Sequence, residues 1–254
     1  MIDPAKSYRL DGRTALITGA TRGIGRAMAE AFVAAGAAVC VTARKQEELD
    51  ETIDALKAIG GHVTAHRGSA GDPDAIEAGV AHCITELGGI DILVNNAATN
   101  PQFGPLHEAD MGQVAKVWEV NQAGPLRYAQ AAWKSWMQEH RGNIINVASV
   151  GGVRAGTMIG AYNVSKAALL HMTKLFALEM APKVRCNALA PGLVKTYFAR
   201  ALYENNEEAV AQRHPLRRIG APDDIAGAAL FLASDASSWM TGQMIVIDGG
   251  MSLV

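Results

Sequence analysis

The run Thr14-Ala15-Leu16-Ile17-Thr18-Gly19-Ala20-Thr21-Arg22-Gly23-Ile24-Gly25 decides the fold. An apolar, strand-like segment ends at Gly19, two more glycines follow at Gly23 and Gly25, and residues 23–35 then carry helical spacing. Glycines at these places permit a tight turn and close backbone approach. A helix beginning directly behind the turn points its first N–H groups outward, which favours anionic phosphate. The spacing is GxxxGxG rather than GxGxxG.

Outward from this turn, short apolar runs alternate with longer amphipathic stretches. AAVCVTA precedes 46–59, HVTAHR precedes 73–87, DILVNN precedes 106–140, and NIINVAS precedes 160–180. VRCNALAP and MIVIDGG supply two further strands, and APDDIAGAALFLAS reads as a helix with acidic residues at its start. The alternation predicts an α/β fold, a parallel sheet of seven strands with helices on both faces. Continuous apolar strands such as DILVNN fit a sheet buried on both sides.

At 254 residues and 49% hydrophobic, the chain can bury a large core and is expected to form a single domain over 1–254. Its charge of -2 arises from 23 basic and 25 acidic residues that are interspersed, so no nucleic-acid stripe is present. Small metabolites are the expected partners. No apolar run is long enough to span a membrane, and MIDPAKSYRLDGR lacks the apolar stretch of a secretory signal, so a cytoplasmic location is expected. Cys40, Cys83 and Cys186 read as buried thiols. No metal box is visible: His62 and His66 would share a strand face but lie about 13 Å apart.

The chemistry gathers around YNVSK. Tyr162 and Lys166 are four apart, and in a helix that spacing places both side chains on one face. An unperturbed phenol has a pKa of about 10, and a neighbouring ammonium would favour the phenolate. Ser149 closes NIINVAS at the carboxyl edge of the sheet, where doubly wound folds bind ligands. Asn121 falls inside the stretch 106–140, near an irregularity expected at Gly124-Pro125. Asparagine in a helix interior is locally unfavourable, which points to a structural or relay task.

Asn121, Ser149, Tyr162 and Lys166 behind this glycine turn closely resemble the short-chain dehydrogenase/reductase family, over about Leu10 to Gly250. The resemblance implies a Rossmann fold and an oxidoreductase that moves hydride between a nicotinamide cofactor and a carbonyl or secondary alcohol. It also implies roles: Tyr162 as general acid/base, Lys166 lowering its pKa and holding the nicotinamide ribose, Ser149 positioning the substrate oxygen, and Asn121 supporting a relay water. By the same resemblance Gly19, Thr21, Arg22, Gly23, Ile24 and Gly25 hold the cofactor, as do Asn96, Ala97 and Ala98. Pro191, Gly192, Val194 and Thr196, in a stretch similar to the family's PGxVxT, meet the nicotinamide end. Two departures are visible. The family's Asn-Asn-Ala-Gly stands here as Asn95-Asn96-Ala97-Ala98, and Ser69, followed by Ala70, replaces the usual Asp near adenine.

Cofactor choice is read at the end of the second strand, where NAD-binding chains carry an acidic residue for the ribose 2′-hydroxyl. Here stands Ala43-Arg44-Lys45, without a carboxylate. Arg44 and Arg22 could instead hold a 2′-phosphate, so NADP(H) is expected over NAD(H). The least patterned region, about 195–218, is expected to be a partly helical substrate lid. A 3-oxoacyl-thioester (acyl carrier protein) reductase is one form of this activity, and a non-catalytic NADP-binding redox sensor is the alternative class. By resemblance the chain is expected to be a homotetramer.

Overall fold

The computed structural model describes residues 4–254. Seven strands form one sheet: β1 (Thr14–Thr18), β2 (Ala38–Ala43), β3 (Val63–Arg67), β4 (Ile92–Asn95), β5 (Gly142–Val147), β6 (Val184–Pro191) and β7 (Met244–Ile247). Their order is β3-β2-β1-β4-β5-β6-β7, and every neighbouring pair is parallel. Between β1 and β4 the order reverses direction. That reversal opens a crevice at the carboxyl ends of the two strands, the place where doubly wound sheets take ligands.

Eight helices matter here. They are α1 (Gly23–Ala34), α2 (Gln46–Ala58), α3 (Pro73–Leu87), α4 (Met111–Trp118), α5 (Gly124–Ala132), α6 (Gly160–Glu179), α7 (Glu207–Gln212) and α8 (Pro222–Ala233). Because strand side chains alternate, each strand feeds two cores. Ile17, Val41 and Val94 meet Phe32 of α1, Leu49 of α2 and Leu232 of α8 in one layer, while Leu16, Cys40 and Leu93 meet Val80 of α3, Tyr128 of α5 and Phe176 of α6 in the other. Local signals set the helix ends. Asp72 caps α3 by accepting from the Asp74 and Ala75 N–H groups, Pro73 opens it, and Gly88 closes it in a left-handed conformation at φ 82°.

The expected stretch 106–140 proves composite. Leu106–Glu108 is only a 3-10 turn, and helix begins at Met111, where Asp110 accepts the Gln113 N–H at 2.9 Å. A π turn at Glu119–Ala123 separates α4 from α5, and a second follows at Trp133–Met137. The irregularity therefore lies on Asn121 itself, just ahead of Gly124-Pro125. Edge strand β7 also departs from the expectation of strands buried on both faces, since Met244 and Val246 are exposed. All three cysteines are unpaired and buried. Among the described residues no helix is long and apolar enough to cross a membrane, and no group of three or more His, Cys, Asp or Glu could hold a metal.

Candidate active site

The glycine turn is locked from the β4 side. Thr18 Oγ1 accepts the Asn96 and Ala97 N–H groups, each at 3.0 Å, and Asn96 Nδ2 donates to the Thr18 and Gly19 carbonyls at 2.9 and 3.0 Å. Gly19 and Gly23 have φ of 64° and 56°, a region that L side chains rarely adopt. A Cβ at Gly25 would run into the Gly19 carbonyl oxygen and stand 2.5 Å from Asn96 Nδ2; one at Gly19 would stand 2.9 Å from Ala97 Cα. Across the crevice, a Cβ at Gly23 would lie 3.1 Å from Thr196 Cγ2. Gly19, Gly23, Gly25, Asn96, Ala97 and Thr196 thus share one cradle that side chains would fill, and it fits a dinucleotide phosphate bridge. Ile24 faces the core beside it.

Pro191 and Gly192 leave the sheet at the end of β6, with Gly192 against Asp248, and Val194 is pinned by a bridge to Gly220. Ser69 Oγ accepts the Gly71 N–H at 3.2 Å, while the Ala70 carbonyl lies against Gly124, where any Cβ would clash. Ala98 is half-buried behind Ala97.

At the end of β2, Arg44 is exposed. Arg22 lies over the Tyr197 ring, 4.8 Å from its centroid. The strand end itself carries no carboxylate, but the helix that follows brings one close to the glycine turn. Glu48, in the first turn of α2, accepts a hydrogen bond from Thr21 Oγ1 at 3.0 Å and pairs with Lys45 Nζ at 3.0 Å. The Lys45 ammonium above all, with Thr21 and Arg22, holds the Glu48 carboxyl below the ordinary range against the opposing effect of burial. Sequence distance from the strand end concealed it: the helix turns Glu48 back toward Thr21.

At the crevice floor, Ser149, Tyr162 and Lys166 converge. Ser149 ends the β5 segment in extended backbone, and its Oγ accepts the Gly151 N–H at 3.1 Å. Tyr162 stands in the first turn of α6, and Lys166 Nζ lies 5.5 Å from its ring centroid. Lys166, only 2% exposed, donates to the Val147 carbonyl at 2.8 Å. Burial pushes the Tyr162 phenol up to about 12, opposed by its hydrogen bond to Ser149, and pushes Lys166 down to about 7. The expected lowering of the phenol by Lys166 is therefore reversed in the protein alone. Desolvation disfavours the charged form of each group and is the leading cause of both shifts.

Asn121 is 0% exposed and fully engaged. Its Oδ1 accepts the Thr99 N–H at 2.9 Å, and its Nδ2 donates to the Thr99 carbonyl and to Ser165 Oγ, both at 3.0 Å. Ser165 Oγ in turn donates to the Tyr162 carbonyl at 2.7 Å. Pro125 has no N–H to give to the Asn121 carbonyl. Ser165 escaped sequence reading, although it sits inside YNVSK. So did the buried chain in which Asn146 accepts from Asn95 and donates to Thr173, each at 2.9 Å, tying β4 and β5 to α6.

Two residues of the 195–218 segment reach the glycine turn and the tyrosine. Tyr197 stacks on Arg22, and its neighbour Phe198 lies 5.8 Å from the Tyr162 ring, centroid to centroid.

A family model described as enoyl-(acyl carrier protein) reductase matches residues 19–252. A dehydrogenase/reductase SDR family member 4 from Oryctolagus cuniculus is 38% identical over 247 residues, which is 95% of this chain and 94% of that protein. A gluconate 5-dehydrogenase from Burkholderia cenocepacia J2315, solved with NADP and tartrate, superposes with a TM-score of 0.94 at 32% identity, covering 99% of this chain and 100% of that one. A 7 alpha-hydroxysteroid dehydrogenase solved with NADH and 7-oxo glycochenodeoxycholic acid gives 0.93 at 32% identity, covering 98% of each chain.

Proposed function

The chain belongs to the short-chain dehydrogenase/reductase family, oxidoreductases acting on CH–OH or C=O groups, and from that premise we propose an enzyme that prefers NADP(H) and uses Tyr162 as its general acid/base. One observation carries this reading: Tyr162, Lys166 and Ser149 meet at the carboxyl edge of the sheet beside a turn that has no room for a side chain at Gly19 or Gly25. Bound there, a nicotinamide dinucleotide supplies or accepts the hydride.

The protein's own part is proton transfer and positioning. Burial keeps the Tyr162 phenol protonated, the form that donates to a carbonyl oxygen, and Ser149 offers that oxygen a second hydrogen bond. Lys166 spends one N–H on Val147 and has others to direct at a ribose hydroxyl. Asn121 positions Tyr162 through Ser165. In the oxidative direction Tyr162 takes the proton back.

Gly19, Thr21, Gly23, Ile24 and Gly25 would line the phosphates, with Asn96, Ala97 and Ala98 opposite. Ser69 and Ala70 would face adenine, and Pro191, Gly192, Val194 and Thr196 the nicotinamide end. Relatives of similar fold are solved with NADP and with NADH, so cofactor choice must come from this chain's residues. Exposed Arg44 at the end of β2, with Arg22 in the glycine turn, supports NADP(H). Residues 195–218, carrying α7, would act as the lid of a one-domain enzyme. Exposed Leu175 and Leu178 on α6, with Met244 and Val246 on β7, support a homotetramer. Three reduced, buried cysteines support a cytoplasmic setting.

The test is consumption of NADPH and NADH against ketones, aldehydes and 3-oxoacyl thioesters. Tyr162→Phe should lower kcat by about 10³-fold while cofactor still binds, and Arg44→Asp should abolish the NADPH preference. Full turnover by Tyr162→Phe would overturn the acid/base role.

A further inference from the structure

We propose that Glu48 is a specificity-determining residue that opposes a phosphorylated ribose, so the preference that Arg22 and Arg44 create for NADP(H) is moderated by a carboxylate held among them. This rests on the reading of the β2 end as the ribose site. Thr21 has one hydroxyl proton, and it goes to Glu48 Oε2 at 3.0 Å. The Lys45 ammonium stands 3.0 Å from Glu48 Oε1. Both belong to segments that frame the site, Thr21 in the glycine turn between Gly19 and Gly23 and Lys45 next to Arg44. Glu48 also feels the Arg22 charge and retains 29% side-chain exposure, so it is neither a sealed structural ion nor a free surface group.

A 2′-phosphate carries about -1.5 to -2 charge at neutral pH and needs donors and cations. Thr21 and Lys45, in the segments that frame the site, already engage an anion, and that anion repels the incoming one. A free 2′-hydroxyl meets the opposite situation. It is neutral, and it can donate to the same carboxylate oxygens. Glu48 therefore works against NADP(H) and in favour of NAD(H), while Arg22 and Arg44 work the other way. The balance between them is adjustable at one position.

Calorimetric titration of the whole protein with 2′,5′-ADP and with 5′-AMP tests this without turnover. Glu48→Gln should tighten 2′,5′-ADP by about fivefold and leave 5′-AMP unchanged or weaker. Glu48→Ala should move the ratio in the same direction, and the gain should shrink at high salt. An unchanged or reduced ratio in both variants overturns the inference. The NADP(H) reading fails separately, on the wild-type protein, if 2′,5′-ADP binds no tighter than 5′-AMP.

Discussion

Asn121 and Ser165, on different helical segments, are joined by a 3.0 Å hydrogen bond, and Ser165 passes the connection to the Tyr162 carbonyl at 2.7 Å. The same asparagine pairs with both backbone groups of Thr99. One side chain thus ties the loop behind β4 to the start of α6.

Replacing Asn121 with Leu keeps the volume and removes its bonds to Thr99 and Ser165. Each buried partner left unsatisfied costs about 1–3 kcal/mol, so a loss of about 3 kcal/mol or more is expected. Urea denaturation should show a lower midpoint at unchanged m-value. A stability equal to wild type would mean that the loop and α6 are held by other contacts.

Lys166 gives a pH dependence of stability with a defined sign. Its pKa falls from 10.5 when unfolded to about 7 when folded, so between those values the unfolded chain binds more protons. Stability must then rise with pH across that window. In the cofactor-free protein the melting temperature should climb from pH 7 toward 10 through this group, and Lys166→Met should remove that share of the climb. Tyr162, raised to about 12, acts in the opposite sense, but only above its ordinary value of 10.0. Identical pH profiles for the two proteins would refute the depressed lysine.

Gly25 is closed to any side chain, because its Cβ would strike the Gly19 carbonyl and stand 2.5 Å from Asn96 Nδ2. Gly25→Ala should force the turn apart, destabilise the fold by about 2 kcal/mol, and weaken dinucleotide binding at least about tenfold. Fluorescence titration with NADPH reads the second effect.

Much of this was legible in the chain. β1 and β4 announce themselves as continuous apolar runs because both of their faces are covered, and YNVSK places Tyr162 above Lys166 because helical periodicity leaves little choice. The glycine turn was readable for the same reason: few residues tolerate its backbone. What escaped depends on contacts distant in sequence. Glu48 reaches Thr21 across 27 residues, and Asn95 reaches Asn146 across 51. The π turn at Glu119–Ala123 carries no propensity signal beyond the proline that follows it. The direction of the Tyr162 shift escaped as well, since proximity to Lys166 is visible in spacing but the loss of water around both groups is not.

The adjacency of Tyr197 and Phe198 has a kinetic corollary. One contacts Arg22 of the glycine turn and the other contacts Tyr162, on neighbouring peptide units. Their backbone cannot swing clear of one without disturbing the other. In the proposed enzyme, entry and exit at the adenosine and nicotinamide ends would be mechanically yoked through this segment, favouring an ordered sequence of arrivals and departures over a random one.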